Sequence, residues 1–438
     1  MRSEFRVIFG LAWPTSLGML AFMAMNVVDS ICVGQLGGSA QAGVAVANAW
    51  GLSGAVLAMG AVRAIEPVVS QAYGEGDRTV VGQALTRMLA LSVPLGLLVS
   101  VWYLLTPWGL RLLGQPESVI PYAQAYAAPL AFAWPIVMLS QTLRTFLQAI
   151  GTVRPAMVVT IAFTALKVPL NLWLMGGGWG VPALGVAGTS VATCIVDLGV
   201  LLVLAASVRG TLRDWWPRDL GLTLAALVRL LRLGLPLGVQ MGTEMWAFAG
   251  MGVMMGWLGE RELAAHSAAI NLASVSFMLP YGVGAAVAAR VGHRFGGGHD
   301  WWPAARAALT LGLATQVFSG AVFWFAGPWL VMPYSPDPAV RLLAASLLPI
   351  AAAFQLFDGV QVISFGVLRG AGDVRVPTLA NLVGYYIFGL PVAYALGVVG
   401  GFGAEGIWWG LSVGLAVVSV GLLLRIRFVR RRGGERLR

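Results

Sequence analysis

Seven ionisable side chains fall inside stretches otherwise too apolar to hold them: Asp29, Arg63, Glu66, Lys167, Asp197, Glu244 and Asp358. At the centre of a membrane helix each costs about 2.5–3.5 kcal/mol on insertion scales, so such a group faces a partner or a wet cavity. Arg63 and Glu66 are three apart on one helix face and read as an internal salt bridge. Glu244 and Asp358 have no basic residue predicted at the same depth in their half of the chain. Two carboxylates so placed can exchange protons or hold a small cation, and sodium, a hard ion, prefers such oxygens. The blander outcome is a pair that is protonated and hydrogen-bonded. Asp197 has less to distinguish it.

The elements that hold these groups follow from composition. Of 438 residues, 58% are hydrophobic and 11% charged, with a mean hydropathy of +0.81. Soluble domains carry roughly 25% charged residues, so water is not the solvent for most of this surface. Apolar runs of the length needed to span a hydrocarbon core recur throughout. They cover residues 7–34, 42–72, 88–106, 121–143, 156–176 and 184–208, then 233–258, 263–289, 307–331, 343–368, 378–398 and 405–425. The expectation is an all-α membrane protein of about twelve transmembrane helices. The first run exceeds a signal-peptide core and contains Asp29, so it reads as a retained helix.

The net charge of +10 is a topology signal rather than a nucleic-acid footprint. Of 28 basic residues, Arg111, Arg261 and Arg341 alone fall in one set of alternating loops, while Arg63 and Lys167 lie within apolar runs. The remainder crowd the other loops and both ends, which the positive-inside rule places in the cytoplasm of a bacterial inner membrane. The Arg-rich tail, with lipid headgroups as a second contact, belongs to the same signal. Cys32 and Cys194 lie in apolar runs, and His266, His293 and His299 are scattered, so no disulfide framework or structural metal site is expected.

The halves repeat. Pro14 and Pro236, Gly34 and Gly256, Leu36 and Leu258, Gly37 and Gly259, Gly74 and Gly296, and Gly76 and Gly298 all share an offset of 222. Leu147 and Gly151 match Leu368 and Gly372 at 221. An even number of helices per repeat makes two parallel, pseudo-symmetric six-helix lobes. They are residues 1–208 and 233–425, with a cytoplasmic linker at 209–232 and a basic tail at 426–438. Pro14, Pro94, Pro135, Pro169, Pro236, Pro280 and Pro391 interrupt the apolar runs, where neighbours can re-satisfy a freed carbonyl. The pairs Trp215/Trp216, Trp301/Trp302 and Trp408/Trp409 read as an interfacial belt.

The stretch LAWPTSLGMLAFMAMNVVDSICVGQLG around Pro14 and that from Gly234 to Gly259 resemble helices 1 and 7 of the multidrug and toxic compound extrusion (MATE) family. QLFDGVQVISFGVLRGAGDVRVP, from Gln355 to Pro377, is similar to helix 10 and the following loop of its NorM-like branch. The match covers essentially the full length. It implies an antiporter with alternating access between two lobes: protons or sodium enter while an amphiphilic organic cation, a drug or toxic metabolite, leaves. Asp29, Glu244 and Asp358 fall at the family's acidic positions in helices 1, 7 and 10. Glu244 and Asp358 are then the expected cation-coupling pair, and Asp29 a second protonatable site.

Two departures stand out. Where the family often reads Asn-x-Pro-x-Asn in helix 5, this chain has Lys167-Val168-Pro169-Leu170-Asn171, and Lys167 is its only lysine. Lys167 can pair with Asp29 and hold it ionised, be displaced when Asp29 takes up a proton, or lose its own proton; the structural pair is favoured. Phe354 stands four residues before Asp358, where NorM-like relatives commonly carry tyrosine, which shifts the expectation modestly from sodium toward protons.

The cavity lining is expected from Met23, Met241, Trp246, Phe277 and Phe354, since flexible methionine and aromatic surface tolerates many ligands. About half of such residues are expected only to pack. No P-loop precedes Lys167 and no cluster of interfacial acids, bases or metal ligands appears, so neither an enzyme nor an ATPase within the chain is expected. Asp77, Asp214, Asp219, Asp300 and Asp373 read as solvated flanks. No cofactor beyond the coupling ion, no nucleic acid and a monomer in the bilayer complete the expectation. The competing reading is a flippase of lipid-linked oligosaccharides or lipids from the same superfamily, kept open by Arg63 and Lys167.

Overall fold

A computed structural model describes residues 2–178, 180–211 and 220–432. Trp215, Trp216, Arg213, Arg218, Asp214, Asp219, Arg436 and Arg438 lie outside the described residues. Among those described, twelve helices are long and apolar enough to cross a membrane. They are α1 (Ser3–Gly34), α2 (Gly38–Glu75), α3 (Arg78–Leu104), α4 (Ile120–Ala149), α5 (Arg154–Gly176) and α6 (Val186–Thr211). The second set is α7 (Leu224–Leu258), α8 (Glu260–Gly296), α9 (Trp302–Leu330), α10 (Pro338–Gly370), α11 (Arg375–Val399) and α12 (Gly403–Arg432). Only helices satisfy every backbone group within one segment, which is what an apolar solvent demands.

Every predicted apolar run is present as a helix, and most helices outlast it. Arg78, Arg87, Arg144, Arg229, Arg232, Arg290, Arg294, Arg306, Arg369 and Arg425 are helical rather than loop residues. A helix ends where its capping allows, not where hydropathy falls. Thus α6 and α7 take residues 209–211 and 224–232 of the expected linker, and α12 runs on to Arg432. The acids expected as solvated flanks act as caps: Asp77 accepts from the Val80 amide at 3.1 Å and Asp300 from the Trp302 amide at 3.0 Å. Asp373 pairs with Arg425 at 2.6 Å.

The repeat has a conformational cause. Gly37 and Gly259 precede α2 and α8 with φ of 103° and 150°, and Gly151 and Gly372 follow α4 and α10 with φ of 81° and 87°. Side chains rarely adopt these angles, so glycine recurs wherever the same turn recurs.

Contacts group the chain into two compact units, residues 17–69 with 77–238, and residues 1–16 with 70–76 and 239–438. In the first, Trp50 and Trp102 stack at 4.2 Å and 8°, each indole N–H donating to the other's carbonyl. Gly96 lies against the backbone of Pro135, where a Cβ would meet Cα at 2.5 Å. In the second, α8 and α10 approach through small residues: a Cβ on Gly366 would collide with the Gly284 carbonyl. Glu4 is buried in this unit, its carboxylate accepting two bonds from Arg290 at 2.8 Å and one from Arg294 at 2.6 Å.

Two of the expected belt tryptophans face inward instead. Trp408 is fully buried against Phe354 and His266, with ring centroids 5.7 Å away in each case, and Trp301 is 7% exposed. Trp409 is exposed, and Trp302 lies under the Arg430 guanidinium at 4.4 Å. Trp408 and Trp409 are adjacent on α12, where successive side chains point about 100° apart, so one ring turns into the core and the next faces outward.

Candidate functional site

The second unit holds an open cavity of about 210 Å³ lined by Glu244, Phe248, Ile270, Ala273, Ser274, Phe277, Met278, Phe354 and Asp358. Its walls come from α7, α8 and α10, and helical spacing sets who faces in. Glu244 and Phe248 are four apart, as are Phe354 and Asp358, while Ile270, Ser274 and Phe277 climb one face of α8. Asp358 is 5% exposed, and its Oδ1 has no hydrogen-bond partner among the described residues. The charges of Glu244 and Asp358 act on each other, and both act on Tyr385. Like charges sharing a largely apolar cavity are relieved by a proton or a cation between them. Three phenyl rings and a thioether complete a wall that favours a cation with apolar substituents.

Behind this wall stands a polar layer that the sequence reading did not single out. Asn381 on α11 is fully buried and donates to the Gln240 carbonyl at 3.3 Å and, at a long 3.5 Å, to Glu244 Oε2. Gln361, three residues beyond Asp358, donates to the Tyr385 hydroxyl at 3.1 Å. Gln355 accepts from Ser276 at 2.5 Å, and Gln316 donates to the Gln355 carbonyl at 3.0 Å. The signal was present in the sequence as Asp358/Gln361 and Asn381/Tyr385, polar pairs at helical spacing inside apolar runs.

The first unit holds a different arrangement. Lys167 Nζ donates to Asp29 Oδ2 at 2.6 Å, and Asn171 Nδ2 donates to Asp29 Oδ1 at 2.8 Å. The three are 2%, 4% and 0% exposed for Lys167, Asp29 and Asn171. Arg144 on α4 donates to Thr160 on α5 at 2.9 Å, and its charge reaches Asp197 on α6. Glu66, 1% exposed, follows a break in α2 at Arg63–Ala64 and accepts from Gln148 at 3.0 Å.

Of the other predicted residues, Phe277 and Phe354 line the cavity with Glu244 and Asp358. Met241 is half-buried and Trp246 is 39% exposed, and neither lines it. Met23 is half-buried on α1, in the other unit. Met25, Met254 and Met255 pack as core.

Comparison with known proteins agrees with this architecture. The sequence model of the MatE family fits twice, over residues 14–173 and 236–395, repeating the 222-residue offset seen between Pro14 and Pro236. A probable multidrug resistance protein NorM of Acinetobacter baylyi is 32% identical over 436 residues, 97% of this chain and 96% of that protein. The corresponding Burkholderia pseudomallei protein is 36% identical over 438 residues, covering 96% and 92%. Among solved structures, the eukaryotic MATE transporter AtDTX14 superposes with a TM-score of 0.88 at 22% identity, over 98% of this chain and 99% of that one. Two family repeats, near full-length relatives and the twelve-helix fold converge: the chain is a polytopic membrane protein of the MatE, or multidrug and toxic compound extrusion, family, in its NorM-like branch.

Proposed function

We propose that the chain is a secondary antiporter that exports amphiphilic organic cations, drugs and toxic metabolites among them, in exchange for protons or sodium. It resides in the bacterial plasma membrane as a monomer, with both termini in the cytoplasm, and works by alternating access between two lobes. The observation that carries this reading is that Glu244 and Asp358 line one cavity together with Phe248, Phe277, Phe354 and Met278. A pair of acids can be neutralised by an inward-moving cation or by the charged head of an outward-moving substrate, but not comfortably by both. Mutual exclusion at one charged site couples two fluxes without ATP, because each ligand favours a different state. NorM relatives that match nearly end to end carry the name multidrug resistance protein, which supports the substrate class.

The flippase reading is weaker on charge. Lys167, one of the two cations that favoured it, is matched by Asp29, while the cavity described above is acidic. The test is efflux of a fluorescent cationic dye from drug-sensitive bacteria expressing the chain, with pH gradient and external sodium varied independently. Export that follows one gradient and stops in Asp358→Asn is the expected result. Absence of export under every gradient, with the protein present in the membrane, rejects the antiporter and turns attention to anionic lipid-linked substrates.

A further inference from the structure

The carboxylate of Asp29 is held on both oxygens by donors from one face of α5, Lys167 on Oδ2 at 2.6 Å and Asn171 on Oδ1 at 2.8 Å. Four residues apart, the two donors stack one turn above the other. We infer that Lys167 is a tethered counter-cation that keeps Asp29 ionised through the transport cycle, so that coupling falls on the Glu244–Asp358 site alone. The inference rests on the antiport reading above and assigns the work within it.

Charge balance separates the two acidic sites. An ammonium against a carboxylate oxygen occupies the place that a coupling cation would otherwise take. Proton uptake by Asp29 would leave Lys167 as an unpaired ammonium at 2% exposure, and removing one partner of a buried pair costs far more than the pair itself contributes. Sodium could enter only by displacing a cation that is covalently attached to α5. At the other site the balance is reversed: Asp358 has an oxygen with no hydrogen-bond partner among the described residues, and the charge acting on it is that of Glu244, of the same sign. That site is relieved by a cation, whereas the Asp29 site already has one.

The surroundings of the pair point the same way. The titratable and charged groups that face it among the described residues are Cys32 on α1, Tyr126 on α4, and Cys194 and Asp197 on α6, with Arg144 on α4 acting on Asp197. Lys167 and Arg144 therefore answer Asp29 and Asp197 within one unit, two charges against two. The pair also ends a row of ties between α1 and α5. A Cβ on Gly18 would lie 3.7 Å from Met157 Cα, and Thr164 donates to the Ala21 carbonyl at 3.3 Å. From Gly18 to Asp29 the row spans on the order of 16 Å of helix. Lys167 is thus a positioning residue that fixes this part of α1 on α5.

The experiment uses the full chain in proteoliposomes and reads dye export, its pH profile and the number of cations exchanged per dye. Asp29→Asn strands the ammonium and is expected to lose export by about tenfold or more. Adding Lys167→Met to it removes both charges and is expected to restore export to within about threefold of wild type, the range of ordinary context effects on one contact, with the pH profile and exchange ratio unchanged. A double variant that is present and folded yet as inactive as Asp29→Asn, or that exchanges one cation fewer, overturns the inference. Infrared difference spectra of the wild type across the working pH range supply a readout independent of variant folding. No protonated-carboxyl band assigned to Asp29 is expected, and its appearance overturns the inference equally. Asp358→Asn distinguishes the two levels: if it exports with full coupling, the Glu244–Asp358 site fails and this inference falls with it.

Discussion

Phe354 stands edge-on to Phe248, with ring centroids 6.1 Å apart and planes at 87°, on the wall that also carries Asp358 and Glu244. Its other edge meets Trp408 at 5.7 Å and 75°. One side chain therefore links the cavity wall to the buried core of α12. Truncation to Ala is expected to destabilise the protein by about 3–5 kcal/mol, as for other buried aromatic deletions. The conservative change is more informative. Phe354→Tyr adds a hydroxyl oxygen near the acidic pair with little change in volume, and dye export by this variant is expected to respond more strongly to external sodium than wild type. An unchanged sodium response in well-folded Phe354→Tyr rejects a role for the missing hydroxyl.

Asp358→Asn and Glu244→Gln keep side-chain size and remove one charge each from a shared cavity. Gradient-driven export is expected to fall to the background of cells lacking the protein. Dye binding to the purified variants is expected to weaken by about tenfold to a hundredfold, the worth of one interaction with a charged group. Fluorescence titration in detergent separates the two effects. Binding that survives at wild-type strength while export is lost would leave the pair in coupling and remove it from substrate recognition.

Asn381 is a quieter test of the same site. Its amide bridges the Gln240 carbonyl and Glu244 while fully buried on α11. Asn381→Leu is expected to lower stability by about 1–3 kcal/mol through the orphaned acceptors, and to shift the pH profile of export by changing what Glu244 sees. A lowered melting temperature with an unmoved pH profile would make Asn381 structural only.

The same residues show what a sequence discloses and what it withholds. Glu244 and Asp358 announce themselves because an acid in an apolar run has no cheap reason to be there. Asn381, Gln361 and Tyr385 do not, because amides and phenols are common in membrane helices and their value depends on which neighbour the register brings. The membrane-embedded carboxylates of the first and seventh helices also break the repeat: Asp29 plus 222 falls on Met251, not on Glu244. The duplicated glycines were legible for the opposite reason, since a positive φ fixes the residue type wherever the turn recurs. Helix ends were misjudged because hydropathy reports the lipid boundary, while the helices of Arg78, Arg290 and Arg425 continue past it.

Glu4 binds Arg290 and Arg294 together, with 6% of its own side chain exposed against 26% and 24% for the arginines. Glu4→Gln leaves two guanidiniums facing a neutral group at the start of α1. Because the arginines are partly solvated, the expected loss is moderate, about 1–3 kcal/mol in thermal unfolding of the purified protein. Adding Arg294→Gln relieves the repulsion and is expected to recover part of that loss. No recovery in the double variant would show that packing of Glu4, not its charge, holds this end of α1.

Lys167→Asn puts the matter of the tethered cation in its most direct form. The variant keeps the Asn171 bond to Asp29 and removes the ammonium from Asp29 Oδ2, leaving a shorter side chain that carries no charge. A buried carboxylate deprived of its counter-charge holds a proton more readily than one beside an ammonium. Export is expected to persist, but its pH profile should acquire a second titrating step, and the exchange ratio in proteoliposomes should rise toward one further cation per dye. Adding Asp29→Asn should erase both changes, because the new step belongs to that carboxylate. If Lys167→Asn instead matches wild type in profile and ratio, the ammonium is not what keeps Asp29 out of proton exchange, and the two donors on α5 serve only to bind α1.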